Sequence, residues 1–135
     1  SMNFFDAELL GQDGQVVVNC RDFQLQVPEA HAKVYREHLG EEVIFGIRPE
    51  DLDYVEQPKE GQHIKAKVGV IEPLGAEIHV FVNTDKHQIV ASVSPNVELE
   101  VGKEISLFPH FEKAVFFDTE NELAIEREKR MANRR

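Results

Sequence analysis

Short segments in which apolar and polar residues alternate, separated by turn residues, run through most of this chain. The pattern is clearest in IKAKVGVIE (64–72), EIHVFVN (77–83) and QIVASV (88–93). Alternation of this kind places one face of a strand in a core and the other in solvent. Further strands are predicted at residues 4–10, 15–20, 23–27 and 42–48, after a turn at 101–103, and at 114–118. Turn signals every eight to twelve residues favour a sandwich or barrel over a parallel α/β fold.

One short helix interrupts this pattern. Pro28 ends the preceding strand. In residues 29–39 (EAHAKVYREHL), Ala30 and Val34 lie four residues apart, as do Tyr35 and Leu39, which predicts a helix that ends at Gly40. The prediction is therefore an all-β protein, mainly β with one short helix. A small Greek-key barrel of the oligonucleotide/oligosaccharide-binding (OB) type suits many short strands best. The spacing leaves open whether one barrel or two interleaved barrels form.

The charge distribution argues against a nucleic-acid partner. The chain has 135 residues and a net charge of -10. Its last ten residues, EREKRMANRR, hold five Lys or Arg and two Glu, a local charge of +3, which leaves -13 for residues 1–125. Phosphate recognition requires clustered cations, which the body of the chain lacks. Residues 126–135 are predicted to form a basic tail, partly helical or disordered.

The sequence lacks the patterns that are typical of several kinds of catalytic or metal site. The chain contains no G-x-x-x-x-G-K-[ST] loop for phosphates and no G-x-S-x-G nucleophile turn. Its histidines fall on separate predicted elements, so we expect surface or hydrogen-bonded roles rather than a metal site. The single cysteine, Cys20, ends an apolar run and is predicted to be a buried core residue. No enzymatic activity, metal or cofactor is expected of this chain.

In two stretches, FGIRPEDL (45–52) and IEPLGAEIHVFV (71–82), a proline and a glycine interrupt an apolar run. In the first, Pro49 ends strand pairing, and we predict that Arg48 closes a turn by pairing with Glu50 or a neighbouring carboxylate. In the second, Pro73 and Gly75 predict a tight reversal between two strands. Both stretches are interpreted as structural devices; a small binding or catalytic site remains the alternative.

Together with MNFFDAEL at the start and FFDTENELAI near the end, these stretches carry a resemblance. The chain resembles the C-terminal regulatory region, the TOBE (transport-associated OB) domain, of the ATP-binding subunit of sugar-importing ABC transporters of the maltose and glycerol-3-phosphate type. The resemblance covers residues 2–125. Two sets of residues match its motifs, Arg48, Pro49 and Glu50 in the first and Glu72, Pro73, Leu74 and Gly75 in the second. The resemblance implies that their role is architectural.

The resemblance also implies a setting. Such a domain follows an N-terminal ATPase domain that holds ATP and Mg²⁺ and is absent from this chain. Implied partners are that ATPase domain, a second copy in a homodimer, the permease subunits and, in some members, a cytosolic regulatory protein. The implied location is the cytoplasmic face of the inner membrane. Residues 28–41 are more helical and charged than the resemblance leads us to expect, so no regulator-binding surface is carried over to them.

Two further expectations concern surfaces. A self-complementary apolar patch for the homodimer is predicted from four late phenylalanines, Phe108, Phe111, Phe116 and Phe117. The alternative function is a small-anion or small-ligand sensing module of OB type, to which SVSPN (92–96) and Lys103 would contribute.

Overall fold

Ten antiparallel strands form two five-stranded sheets in this computed structural model, which describes residues 1–119. The first sheet has the order β10-β4-β1-β2-β3, and the second has the order β5-β9-β6-β7-β8. The strands of the first sheet are β1 (Asn3–Gln12), β2 (Gln15–Asn19), β3 (Gln24–Gln26), β4 (Glu42–Ile47) and β10 (Val115–Asp118). Those of the second are β5 (Leu52–Tyr54), β6 (Ile64–Pro73), β7 (Ile78–Asn83), β8 (Gln88–Val93) and β9 (Glu104–Pro109).

The predicted fold class is confirmed. Strands dominate, the described residues contain one short α-helix, and the strands curve into a nearly closed barrel. Every predicted strand is present, and β5 is an additional strand that the pattern did not indicate. The Asp13-Gly14 hairpin turn between β1 and β2 has positive φ at both residues, 52° and 79°, which suits the right-handed twist of the paired strands.

The helix is shorter than predicted. It spans α1 (Glu29–Tyr35), and a 3₁₀ turn at Arg36–His38 follows it. Of the predicted apolar residues, Tyr35 is buried, Val34 packs partly buried against the core, and Ala30 and Leu39 are exposed, whereas Ala32 is a buried residue that was not predicted. The Tyr35 ring packs against the Phe116 ring with centroids 4.5 Å apart. Gly40 has φ 87°, as expected of a residue that ends a helix.

Aromatic rings fill the centre of the first sheet. Phe45 lies 5.0 Å from Phe116 and 5.9 Å from both Phe5 and Phe111, measured between ring centroids. Phe111 and Phe116 are 4% and 1% exposed, so the predicted apolar dimer patch is wrong for these two residues. They are core residues. Phe108 and Phe117 are only partly buried.

The last strand connects the end of the described chain to the first sheet. β10 is added to the first sheet beside β4, after the chain has completed the second sheet. The core is accordingly one cluster that includes residues of both sheets. Cys20 is fully buried, as predicted, and burial raises the pKa of its thiol to about 12.

Two sequence predictions lie partly or wholly outside the described residues. The domain boundary of 2–125 extends past Thr119, and the basic tail at 126–135 lies entirely beyond it. Among residues 1–119, no helix is long and apolar enough to cross a bilayer.

Candidate functional site

The Arg48–Glu50 motif forms the crossing between the two sheets. A 3₁₀ turn at Pro49–Asp51 connects β4 of the first sheet to β5 of the second. The Asp51 N–H donates to the Arg48 carbonyl at 3.0 Å, and Pro49 is buried. Backbone hydrogen bonding, rather than a side chain, closes this turn.

The predicted ion pair of Arg48 is not formed. Arg48 is exposed and has no carboxylate within ion-pairing distance in the part of the chain that the structure describes. Pro49 fixes the extended conformation of the residue before it, and Arg48 accordingly has φ -77° and ψ 153°. The guanidinium is therefore available to solvent or to a partner.

Asn3 joins the two sheets at this crossing. Its side-chain amide donates to the Ile47 carbonyl at 3.2 Å and to the Val90 carbonyl at 2.9 Å. Its side-chain oxygen accepts the Val90 N–H at 2.9 Å. One asparagine thus bonds β4 of the first sheet and β8 of the second, 87 residues away in sequence. Because both polar groups of this partly buried amide are paired, the contact stabilises the crossing between the sheets.

The Glu72–Gly75 motif lies elsewhere, at the tip of the hairpin of β6 and β7. The Leu74 N–H donates to the Glu77 carbonyl at 2.9 Å, and Gly75 adopts φ 76°. The side chain of Leu74 is 45% exposed. The predicted reversal is present. The cleft that Pro49 and Glu50 line is not lined by Glu72, Pro73, Leu74 or Gly75.

Two residues of the first motif, Pro49 and Glu50, share a cleft of about 290 Å³ with Glu77, which lies just beyond the second motif. Its lining comprises Ser1, Pro49, Glu50, Glu77, His79 and Ser92. The Ser92 hydroxyl donates to Glu77 Oε2 at 2.7 Å, and His79 Nε2 lies 3.2 Å from Glu77 Oε1. The hydrogen bond from Ser92 and the proximity of His79 hold the pKa of Glu77 below its usual value.

This arrangement does not activate a nucleophile. A serine nucleophile requires a base that accepts its proton. Here the group that accepts from Ser92 is the Glu77 carboxylate, whose lowered pKa makes it a weak base, and His79 bonds Glu77 rather than the hydroxyl. Within residues 1–119, no group of His, Cys, Asp and Glu is placed to hold a metal ion. The cleft is an electronegative surface feature.

The residues proposed for anion sensing are also surrounded by carboxylates. Ser92 donates to Glu77. Ser94 and Asn96 line a second cleft, of about 480 Å³, together with Glu56 and Glu98. Lys103 does not line either cleft. An oxyanion would meet repulsion at both places.

The sequence patterns did not reveal a partly buried bridge between the sheets. Asp22, in the turn after β2, accepts the Lys86 N–H at 2.8 Å, and its other oxygen lies 2.8 Å from His87 Nδ1. The side chains of Asp22 and His87 are 9% and 15% exposed. Burial disfavours the charged carboxylate, but hydrogen bonds from Thr84, Lys86 and His87 outweigh this and lower the pKa of Asp22. No local signal could have paired residues 65 positions apart.

Family models match the chain in two overlapping parts. The model described as the MalK OB fold domain matches residues 1–52, and the model described as the TOBE domain matches residues 45–117. The region of overlap, 45–52, is FGIRPEDL, which contains the crossing between the sheets.

Related proteins agree with these matches. The chain is 37% identical over 130 residues to the oligosaccharides import ATP-binding protein MsmX of Bacillus subtilis (strain 168), covering 93% of this chain and 34% of that protein. It is 30% identical over 128 residues to the ABC transporter ATP-binding protein YurJ of the same organism, covering 92% and 35%. The chain thus spans about a third of the length of these relatives.

A solved structure supports the fold. The cytoplasmic molybdate-binding protein ModG, with molybdate bound, superposes with a TM-score of 0.65, covering 84% of this chain and 94% of the ModG chain. The sequence identity is 14%, so this likeness concerns the OB-type fold alone. With the family model matching residues 45–117, more than half of the chain, this protein belongs to the TOBE domain family and carries a MalK-type OB fold domain at its start.

Proposed function

We propose that this chain is the regulatory and dimerisation domain of the ATP-binding subunit of an ABC importer for sugars or related solutes. The observation that carries the proposal is the 37% identity to an oligosaccharides import ATP-binding protein over nearly the whole chain, combined with the two family matches. In the full protein the domain would couple ATP hydrolysis to transport. ATP and Mg²⁺ would bind an ATPase domain outside this chain, since the chain has no phosphate-binding loop.

The proposal includes a location and partners. The full protein would lie at the cytoplasmic face of the inner membrane, held there by the permease subunits. A cytosolic regulatory protein is a further possible partner in this role. The exposed Arg48, which has no ion pair within residues 1–119, and the electronegative cleft beside it offer charges of both signs for such contacts.

Dimerisation requires a different surface from the late phenylalanines. Val70 and Leu74, on the hairpin of β6 and β7, are 54% and 45% exposed. Exposed apolar side chains on one hairpin suit a self-complementary patch around a two-fold axis. Two acidic copies repel one another, and salt screens that repulsion within about 8 Å at physiological ionic strength. The expected dimer is weak, and its affinity does not fall as salt is added.

The coding sequence upstream of Met2 provides the first test. A phosphate-binding loop, an ABC signature motif and a catalytic glutamate there would support the proposal, and an unrelated upstream sequence would refute it. The chain alone should not turn over ATP above buffer background. In a strain that lacks the gene, the full-length gene should restore sugar uptake, whereas a copy that ends before Asn3 should not.

Sedimentation tests the dimer. The chain is compared with the Val70→Ser/Leu74→Ser variant at several concentrations in low and moderate salt. The proposal expects weaker self-association in the variant. A strict monomer at the highest concentration would place the dimer contacts outside this chain, and a dimer that dissociates on addition of salt would indicate charge pairs rather than apolar contact.

The anion-sensing alternative gains no support from the structure's charges. The serines and the asparagine that it would use lie among glutamates. Thermal-shift screening with oxyanions should therefore show no stabilisation. A ligand at one hundred times its Kd would add roughly 2.7 kcal/mol to the free energy of unfolding, which such a screen detects.

A further inference from the structure

Both ring nitrogens of His110 face carboxylate oxygens. Nε2 lies 2.6 Å from Asp53 Oδ2, and Nδ1 lies 3.1 Å from Glu112 Oε1. Within residues 1–119, each of the other histidines contacts a carboxylate through one ring nitrogen or through none. The ring of His110 is therefore in a position to bond two carboxylates at once.

This geometry selects the charged form of the His110 ring. An ionised carboxylate only accepts hydrogen bonds, and a neutral imidazole has a single N–H group. A neutral ring would therefore turn a lone pair toward one of the two carboxylates at bonding distance. The imidazolium form has two N–H groups and satisfies both contacts. Hydrogen bonds between charged partners are also stronger than those between neutral groups.

His110 lies where the two crossings between the sheets meet. The outgoing crossing is the 3₁₀ turn at Pro49–Asp51, and Asp53 follows it in β5. The returning crossing is a 3₁₀ turn at Phe111–Lys113, between β9 and β10, and it carries Glu112. The His110 N–H donates to the carbonyl of the last residue of the outgoing turn at 3.0 Å. His110 thus contacts both crossings, through its backbone and through its ring.

The returning turn positions a residue of the core. Phe111 is the first residue of this turn, and it is 4% exposed within the core that includes both sheets. Two backbone hydrogen bonds hold the turn, from the Lys113 N–H to the His110 carbonyl at 2.9 Å and from the Ala114 N–H to the Phe111 carbonyl at 3.1 Å. The contact between His110 and Glu112 adds a side-chain bond to the same turn.

The groups around His110 favour its imidazolium form. Asp53 faces the ring from β5 and Glu112 faces it from the returning turn. Within residues 1–119, neither carboxylate forms an ion pair with a lysine or an arginine. The outgoing turn presents a backbone carbonyl, and β9 presents the Phe108 ring, whose centroid lies 5.5 Å from that of the imidazole.

The acidities of these groups agree with this arrangement. The hydrogen bond to Asp53 is the main cause that raises the pKa of His110 above its ordinary value of 6.5, and partial burial opposes the increase. A hydrogen bond from its own backbone N–H is the main cause that lowers the pKa of Glu112, and the charges of His110 and of His31 in α1 contribute. Glu112 therefore remains an acceptor while His110 titrates.

We propose that His110 is a pH-sensitive bridge between the two crossings. In its charged form the ring bonds Asp53 and Glu112 and holds the returning turn against β5. When the ring loses a proton, the longer of the two contacts, the one to Glu112, opens. Water replaces the lost bond, because the Glu112 side chain is 54% exposed. The returning turn is then held by its backbone bonds alone.

The direction of the pH effect follows from linkage, and it is independent of the proposed transport role. A histidine whose pKa is raised on folding stabilises the folded state fully below its unfolded pKa, which is about 6.5. That contribution is lost as the pH rises through the folded pKa. The bridge is therefore complete in mildly acidic solution and opens on the alkaline side of its unfolded pKa.

NMR of the ring nitrogens in the full chain, from about pH 5 to pH 9, tests the proposal. The expected result is that both nitrogens of His110 carry hydrogen in most molecules at pH 6.5, with a titration midpoint above that value. The backbone amide signals of Glu112, Lys113 and Ala114 should shift with the same midpoint. A neutral ring at pH 6.5, or amide signals that do not follow the ring, would overturn the proposal.

Matched variants separate the two contacts from the overall charge. Asp53→Asn and Glu112→Gln should each lower the midpoint of His110, and Glu112→Gln should also abolish the shift of the Lys113 amide. Glu41→Gln is the control, because it removes the same charge from a carboxylate that pairs with another histidine, His38, at 2.6 Å. At physiological salt, which screens distant charges, this control should leave the midpoint of His110 unchanged. An equal change in the control, or no change in either test variant, would refute the bridge.

Discussion

The partly buried bridge between Asp22 and His87 leads to a quantitative prediction about stability. Asp22→Asn removes the negative charge while keeping the shape of the side chain. An asparagine oxygen can still accept the Lys86 N–H, and its NH₂ group then faces His87 Nδ1, so a hydrogen bond to a charged carboxylate is replaced by one between neutral groups. Because a hydrogen bond to a charged group contributes about 1.5–3 kcal/mol and one between neutral groups about 0.5–1.5 kcal/mol, the substitution should lower the free energy of unfolding by about 1–2 kcal/mol at pH 7.

The same bridge predicts a dependence on pH. The pKa of Asp22 lies below its ordinary value of 3.8 in the folded protein. A carboxylate with a lowered folded pKa stabilises the protein fully above its unfolded pKa, and the contribution is lost as pH falls through the folded pKa. The difference between wild type and Asp22→Asn should therefore shrink as the pH falls below about pH 4.

Urea unfolding followed by far-ultraviolet circular dichroism measures both effects, because the chain has no tryptophan to report by fluorescence. Asp53→Asn is the matched control. Asp53 also pairs with a histidine, His110, at 2.6 Å, but its side chain is 54% exposed. That control should cost well under 1 kcal/mol. Equal losses in the two variants, or a loss in Asp22→Asn that persists undiminished at pH 3, would refute the reasoning.

Three other predictions follow from the burial or exposure of single side chains. Arg48→Ala should change the free energy of unfolding by less than about 0.5 kcal/mol in urea titration, because Arg48 is exposed and forms no ion pair within residues 1–119; a loss above 1 kcal/mol would show a stabilising contact. Phe116→Ala should cost about 3–5 kcal/mol and the adjacent Phe117→Ala roughly 1 kcal/mol or less, because the first side chain is buried in the aromatic core and the second lies on the outer face. In the native protein Cys20 should not react with a thiol reagent at pH 8, and rapid reaction without denaturant would contradict its burial and raised pKa.

The strands could be predicted because each one has a period of two with a buried face. β5 was missed because Leu52–Tyr54 is too short to show an alternation of apolar and polar residues. Phe111 and Phe116 were misassigned to an exposed patch for a related reason. A 3₁₀ turn at Phe111–Lys113 interrupts the period, so the inward residue of β10 is Phe116 and the outward one is Phe117. Which aromatic residue points inward depends on where the alternation restarts, and the sequence does not mark that point.

The candidate site was less predictable because its contacts are distant in sequence. Arg48 was expected to pair with a carboxylate two residues away, but the turn is closed by the backbone and Arg48 points to solvent. Glu50 instead shares a cleft with Glu77 and His79. The bridge between Asp22 and His87 likewise requires the two sheets to be placed first. Local patterns report turns, whereas contacts between sheets depend on the topology.

The overlap of the two family matches has a physical reason. Residues 45–52 are the place where the chain leaves the first sheet and enters the second, and Asn3 bonds both sheets beside it. The two parts cannot be separated there, because β10 returns from the second part to pair with β4 of the first. A chain cut after residue 52 would leave β4 as an unpaired edge and remove Phe116 from the core that contains Phe45. The Arg48–Glu50 motif therefore marks a joint between two halves of one folding unit, which accounts for a proline and a backbone-closed turn at the end of a buried strand.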